Sequence, residues 1–141
     1  MGVNASERNF EIVRRVYRAA NEDDRDAFLA LLHPEVELET SGVYPDFRVH
    51  YRGLEAAADY WEAARGLWQD FSIEIERLDA AGDCVLALLL QRVGGRDGIV
   101  VEHNWGHVYW FSEGLVRRVR AYASWDEALD AVGLARDTDR P

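Results

Sequence analysis

The stretch Ile99–Phe111, I-V-V-E-H-N-W-G-H-V-Y-W-F, constrains the fold more than any other part of this chain. Read with a period of two, it places Ile99, Val101, His103, Trp105, His107, Tyr109 and Phe111 on one face. Val100, Glu102, Asn104, Gly106, Val108 and Trp110 fall on the other. One face thus carries two imidazoles among aromatic and aliphatic groups, the composition of a pocket wall. A turn at Ser112-Glu113-Gly114 and a second strand, Leu115–Ala123, complete a hairpin. Two strands precede it. Phe71–Asp79 alternates with Phe71, Ile73 and Ile75 inward, and Cys84–Val93 is apolar on both faces, so both faces must be covered. The turns at Ala80–Asp83 and Gly94–Gly98 are too short for crossovers, which makes the four strands antiparallel.

The chain before them is mostly helical. Phe10, Val13, Val16, Tyr17 and Ala20 make the apolar stripe of a first helix over residues 6–20. Asp24 caps a second helix, with Ala27, Phe28, Leu31 and Leu32 as its buried face, and Pro34 stops it. Val36, Leu38 and Thr40 form the inner face of a strand whose Glu35, Glu37 and Glu39 face solvent. An irregular loop rich in aromatics (Tyr44, Phe47, Tyr51) leads to a third helix, Leu54–Asp70, with a weak final turn at Gly66. Its stripe is Ala57, Tyr60, Trp61, Ala64, Leu67 and Trp68. Ser124-Trp125-Asp126-Glu127 is a capping box for a last short helix that Gly133 ends.

Composition narrows the function classes. At 141 residues the chain reads as one domain, 1–141. A net charge of −10 argues against a nucleic-acid partner and against an anionic membrane surface. Every basic residue is Arg, so a lysine base or Schiff base is excluded. A single cysteine, Cys84, excludes an internal disulfide and a multi-cysteine zinc site, and reads as an inert buried thiol. No apolar span is long enough for a transmembrane helix, and the N-terminus lacks a signal peptide's apolar centre, which predicts a cytoplasmic protein. Gly2 followed by Ser6 matches an acylation pattern short enough to recur by chance.

Seven segments taken in order carry a family resemblance: the helix–Asn21–Asp24 start, L-L-H-P-E-V-E-L-E, Y-R-G-L-E-A, L-W-Q-D-F, D-A-A-G-D, H-V-Y-W-F-S-E-G-L-V and W-D-E-A-L-D-A-V-G-L. Together they resemble the SnoaL-like branch of the nuclear-transport-factor-type, or cystatin-like, superfamily. The resemblance implies an α+β cone: a strongly curved antiparallel sheet wrapped around N-terminal helices, with a short C-terminal helix and a conical pocket. It also implies relatives among polyketide cyclases, ketosteroid isomerases and epoxide hydrolases. Carried over by position, His107 stands where the isomerases keep their oxyanion-stabilising acid. Thr40 stands at the isomerase base position, and the isomerase tyrosine falls at Val16, one place from Tyr17. The cyclase acid is missing from Leu115–Ala123. The hydrolase Asp–Arg–Asp set is reduced to Arg77 and Asp79, which run into a turn.

His107 is therefore the candidate catalytic residue, for proton transfer or carbonyl polarisation. Tyr17, Thr40, Trp61, His103 and Tyr109 are the candidate ligand-binding set. The competing reading of His107 is a structural histidine hydrogen-bonded to a neighbouring tyrosine. His103 and His107, ~13 Å apart on one strand, cannot share a metal ion, and no metal or cofactor is expected. A bulge at Gly106 would change the parity of either. His33 and His50 read as surface residues. Arg117, alone on an apolar face, anchors an acidic ligand or snorkels to the rim. The implied partners are a small apolar cyclic molecule and a second copy of the chain, which would cover the outer face bearing Val108, Trp110 and Tyr122. Two function classes stay open: a cofactor-independent isomerase, cyclase or hydrolase, and a non-catalytic ligand-binding or dimeric interaction module.

Overall fold

The computed structural model describes residues 5–42, 47–95 and 97–134. Gly2, the loop residue Tyr44 and Arg96 of the Gly94–Gly98 turn lie outside the described residues. The elements run α1 (Ala5–Glu22), α2 (Arg25–Ala30), β1 (Leu32–Glu39), β2 (His50–Arg52), α3 (Leu54–Gly66), β3 (Asp70–Ala81), β4 (Cys84–Gly94), β5 (Val100–Ser112), β6 (Leu115–Tyr122) and α4 (Trp125–Val132). The six strands form one curled, open sheet in the order β2-β1-β6-β5-β4-β3. Strands β3 to β6 are the expected antiparallel run. The sheet as a whole is mixed, because β1 joins β6 in parallel. Short turns dictate direction only between consecutive strands, and β1 and β6 are separated by most of the chain.

Curvature comes from register shifts between Leu32 and Glu37 in β1, between Ile75 and Arg77 in β3, and between Trp110 and Phe111 in β5. Gly106 is not a bulge: β5 pairs with β4 without a break from Val100 to Trp110, so His107 and Tyr109 keep one face. The β5–β6 turn places Glu113 at φ 56° and Gly114 at φ 76°, the left-handed pair of a two-residue hairpin loop.

Each sheet face has its own core. The concave face packs Val85, Ala87, Leu89, Trp105 and Tyr109 against Val13, Val16 and Tyr17 of α1, Phe28 of α2 and Ala57 and Trp61 of α3. On the convex face Leu86, Leu88 and Val108 pack against Ala128 and Leu129 of α4. The close approach of α4 depends on Gly106, where an added Cβ would stand 2.2 Å from the Ala128 Cβ. Ser124 caps α4 by accepting the Glu127 N–H, and Gly133 ends it at φ 73°. The outer apolar face expected to need a second subunit is thus covered in large part by the chain's own last helix.

Several boundaries move. Helix α2 stops at Ala30, and Pro34 lies inside the irregular half of β1 rather than at a helix end. Ala27, expected on its buried face, is exposed. The loop before α3 contains β2, whose Tyr51 is buried, and α3 ends at Gly66 rather than Asp70. The glutamates of β1 are not merely solvated. Glu37 pairs with Arg117 and His50, each at 3.3 Å, and Glu39 pairs with Arg118 at 2.5 Å and Arg120 at 3.8 Å. Arg117 spends its guanidinium on Glu37 and on the Glu35 carbonyl at 2.6 Å. His33 is mostly buried, its Nδ1 accepting the Glu35 N–H at 3.0 Å. Among the described residues no helix is long and apolar enough to cross a membrane.

Candidate functional site

Between the concave face and the helices lies a cavity of about 160 Å³. An apolar cavity of about 150 Å³ is enough to hold benzene, so this one suits a single ring with a small substituent. Its depth is apolar: Val16, Leu32, Leu38, Ile73 and Val119, with Phe28 and Trp61 packed ring to ring at 4.9 Å. Thr40, Ser41, Gly42, Phe47, Leu67 and Trp68 also contribute to the lining.

His107 is set into the floor by its strand neighbours. Ala87 of β4 pairs with it on one side and Ala121 of β6 on the other, so two methyl groups leave the imidazole standing clear. Tyr17 comes from α1 and Tyr109 from two places along β5. The Tyr109 Oη donates to the Tyr17 Oη at 2.6 Å, and the Tyr17 Oη lies 2.8 Å from His107 Nδ1. A hydroxyl has one proton. With Tyr109 as donor, Tyr17 passes its own proton toward Nδ1, which leaves the imidazole hydrogen on Nε2. Nε2 has no protein partner among the described residues. The rings enforce this chain: Tyr17 and His107 stack at 5.8 Å, and Tyr17 meets Tyr109 edge-on at 6.1 Å.

The electrostatics follow from burial. Loss of hydration lowers the His107 pKa from 6.5 to about 4, so the ring is neutral at pH 7. Burial raises the Tyr17 hydroxyl well above the usual phenol range, and the neighbouring Tyr109 raises it further. Burial raises Tyr109 as well. The trio is a neutral hydrogen-bond relay. Among the described residues Glu39 is the acid in the lining, and its carboxylate is turned away to Arg118 and Arg120. Thr40 gives its hydroxyl to the Arg48 carbonyl at 2.9 Å.

The position of Tyr17 is itself fixed. Asn21, one helical turn on, donates from Nδ2 to the Ile73 carbonyl at 2.9 Å and accepts the Ile73 N–H on Oδ1 at 2.8 Å. This bidentate clasp ties the end of α1 to β3.

Of the residues singled out in the sequence, Tyr17, Thr40, Trp61, His107 and Tyr109 line this cavity. His103 does not. It shares the parity of His107, but the strand carries it past the cavity's end, where Nε2 lies 2.9 Å from the Ala123 carbonyl and the ring packs on Trp105 at 4.1 Å. Among the lining residues that escaped sequence reasoning are Arg65 and Gln91, and Glu39, expected to face solvent, lines the cavity as well. Arg65 and Gln91 each had a signal. Arg65 lies four places after Trp61 on the inner stripe of α3, and Gln91 is the polar member at inward parity with Ala87 and Leu89.

A family model described as "SnoaL-like domain" matches residues 13–119. No curated protein matches the sequence. Among solved structures, an NTF2-like protein of unknown function from Burkholderia pseudomallei is similar at 19% identity and a TM-score of 0.76, over 89% of this chain and 97% of that one. TerC co-crystallised with polyporic acid matches at 15% identity and a TM-score of 0.76, over 89% and 97%. RV0760c from Mycobacterium tuberculosis in complex with estradiol-17beta-hemisuccinate matches at 18% identity and a TM-score of 0.70, over 84% and 95%. Likeness at these identities speaks for the fold alone.

Proposed function

Because the chain belongs to the SnoaL-like domain family, we propose that it binds a small, largely apolar cyclic molecule in the cavity and polarises an oxygen of that molecule through the Nε2–H of neutral His107. The observation that carries this reading is the chain Tyr109 to Tyr17 to His107, which presents an imidazole N–H with no protein acceptor among the described residues to a mainly apolar chamber. A neutral imidazole is a weak base at this depressed pKa and an effective electrophile toward a carbonyl. The relay hydroxyls stabilise the charge that develops as the N–H bond lengthens. Solved relatives of the same fold are named for bound polyporic acid and estradiol-17beta-hemisuccinate, which supports a ligand-holding role. The reaction class this supports is cofactor-independent isomerisation, cyclisation or hydrolysis, with His107 as electrophile or proton donor and Tyr17, Thr40, Trp61 and Tyr109 around the ligand.

A second reading, a binder without turnover, is favoured by one observation: Glu39, the acid of the lining among the described residues, is committed to arginines, so no carboxylate base among the described residues faces the ligand. Cyclohex-2-enone serves as the probe for both. Bound to the wild type, its carbonyl stretch should move to lower frequency, and His107→Leu should abolish the shift. Incubation in deuterated buffer then separates the classes. Exchange at the ring carbons beyond the buffer rate supports the enzyme, and exchange at the buffer rate supports the binder. An unshifted carbonyl in the bound wild type sinks the His107 reading. A homodimer remains part of the proposal through what α4 leaves half-covered, Trp110 and Tyr122, which lie under the Arg118 and Arg120 guanidinium groups. Light scattering that gives one chain's mass at micromolar concentration rejects it.

A further inference from the structure

We infer that the ligand carries a carboxylate, held by Arg65 and Gln91 away from His107; this deepens the reading above and rests on it. Arg65 lies in the last turn of α3 and lines the cavity. Its Nε bonds Asp23 at 3.1 Å, and its guanidinium lies 4.8 Å over the Phe71 ring. Its Nη1 is buried and has no hydrogen-bond partner among the described residues. A buried guanidinium N–H without an acceptor is rare, and a small polar species such as a water or an ion beside it is one of its ordinary explanations. Gln91 supplies a second donor. Its Oε1 accepts the Trp105 indole N–H at 2.9 Å, which fixes the amide's orientation and leaves its NH2 without an acceptor among the described residues.

Register brings the two together. Phe71, beneath Arg65, pairs with Val93, and Ile73, two places on, pairs with Gln91. Residues two apart on one strand face are ~7 Å apart, within the span of one planar acid group and its flanking side chains. His107 lies farther along the same floor, two places past Trp105. The cavity therefore has one donor at His107 Nε2 and a second set toward β3, the cationic Arg65 and the neutral Gln91 amide, with apolar wall between. A carboxylate answers the second set better than a neutral carbonyl, because charge-assisted hydrogen bonds to guanidinium are the stronger kind. Asp23 takes the Nε side of Arg65 and is itself largely exposed, which leaves Nη1 as the guanidinium nitrogen without a hydrogen-bond partner among the described residues. At about 160 Å³, the class is a one-ring acid with an oxygen across the ring from the acid group.

The test uses 4-hydroxybenzoate and 4-oxocyclohexanecarboxylate against their primary amides. Binding is followed by quenching of the indoles of Trp61, Trp68 and Trp105, which line the cavity. In the wild type each acid should bind about tenfold or more tighter than its amide, the ratio expected when a charge-assisted bond replaces a neutral one. Arg65→Gln should remove that preference by weakening the acids more than the amides, and Arg65→Lys should restore part of it. Gln91→Leu should weaken acids and amides together. Equal binding of acid and amide by the wild type overturns the inference, as does an acid preference that survives Arg65→Gln in a protein whose melting temperature shows it folded. Failure of all four compounds to bind, with cyclohex-2-enone still bound and shifted, overturns the carboxylate and leaves the His107 reading standing. Acid and amide affinities that His107→Leu leaves undiminished, with the acid preference intact, do the reverse.

Discussion

Lowering the pH from 7.5 to 5 should cost the folded protein about 2 kcal/mol through His107 alone. The unfolded chain binds a proton on this imidazole with the ordinary pKa of 6.5, whereas the folded protein binds it only near pH 4, because the charged ring would lose its hydration. Between those values the unfolded state holds more protons, so stability is complete above about pH 6.5, falls as the pH drops, and stops falling below about pH 4. At pH 5 the unfolded imidazole is almost fully charged and the folded one about nine-tenths neutral, a bias of about thirtyfold toward unfolding. The window stays above the ordinary carboxylate range near pH ~4, so acid-group titration adds little to it. Urea denaturation at a series of pH values, in wild type and His107→Gln, isolates the term. The wild type should lose the 2 kcal/mol, equivalent to a melting-temperature drop of ~5–10 °C, beyond whatever the variant loses. Equal pH slopes in the two proteins would refute the argument, and so would an NMR titration placing His107 near its ordinary pKa.

Tyr17→Phe should destabilise the protein by ~1–3 kcal/mol in chemical denaturation, since it leaves the Tyr109 hydroxyl and His107 Nδ1 without their partner in a buried setting. Gly106→Ala should push α4 off the sheet and cost ~1–3 kcal/mol, read as a lower melting temperature and as faster proteolysis near Ser124. Asn21→Ala should cost a comparable ~1–3 kcal/mol and loosen α1 more than α4 in hydrogen exchange. Glu39→Gln, by contrast, should change stability by no more than ~1 kcal/mol, because its arginine partners are substantially solvent-exposed.

What could be read from the sequence was what depends on local periodicity. The alternation of Ile99–Phe111 was enough to set His107 and Tyr109 on one face, and the helical stripes were enough to turn Tyr17 and Trp61 toward it. Parity gives a face but not a position along it, which is why His103, equally inward by count, ends beyond the cavity. The hydrogen bond from Tyr17 to His107 joins residues 90 places apart in sequence, and its existence depends on how α1 is rotated over the sheet, which no local pattern encodes. The parallel union of β1 with β6 is equally non-local, and with it the pairing of Glu37 and Glu39 with arginines of β6. Strand β2 is only three residues long, too short for alternation to announce itself. Arg65 and Gln91 do not stand out in the sequence because a polar residue on an apolar stripe is indistinguishable from a lapse in the pattern without the cavity beside it.

The clasp of Asn21 on Ile73 has a consequence for how this protein stays apart from its copies. Strand β3 is the last in the sheet, and such an edge offers bare N–H and C=O groups on which another chain can add a strand. At Ile73 both groups are already occupied by one side-chain amide, which imitates the backbone of a neighbouring strand and then stops. The plug sits at the foot of α1, so any excursion of that helix bares the edge. An opening wide enough to admit a ligand past α1 would be the same opening that invites a strange strand, and mutations that ease entry there should also bring on fibrous, strand-added assemblies.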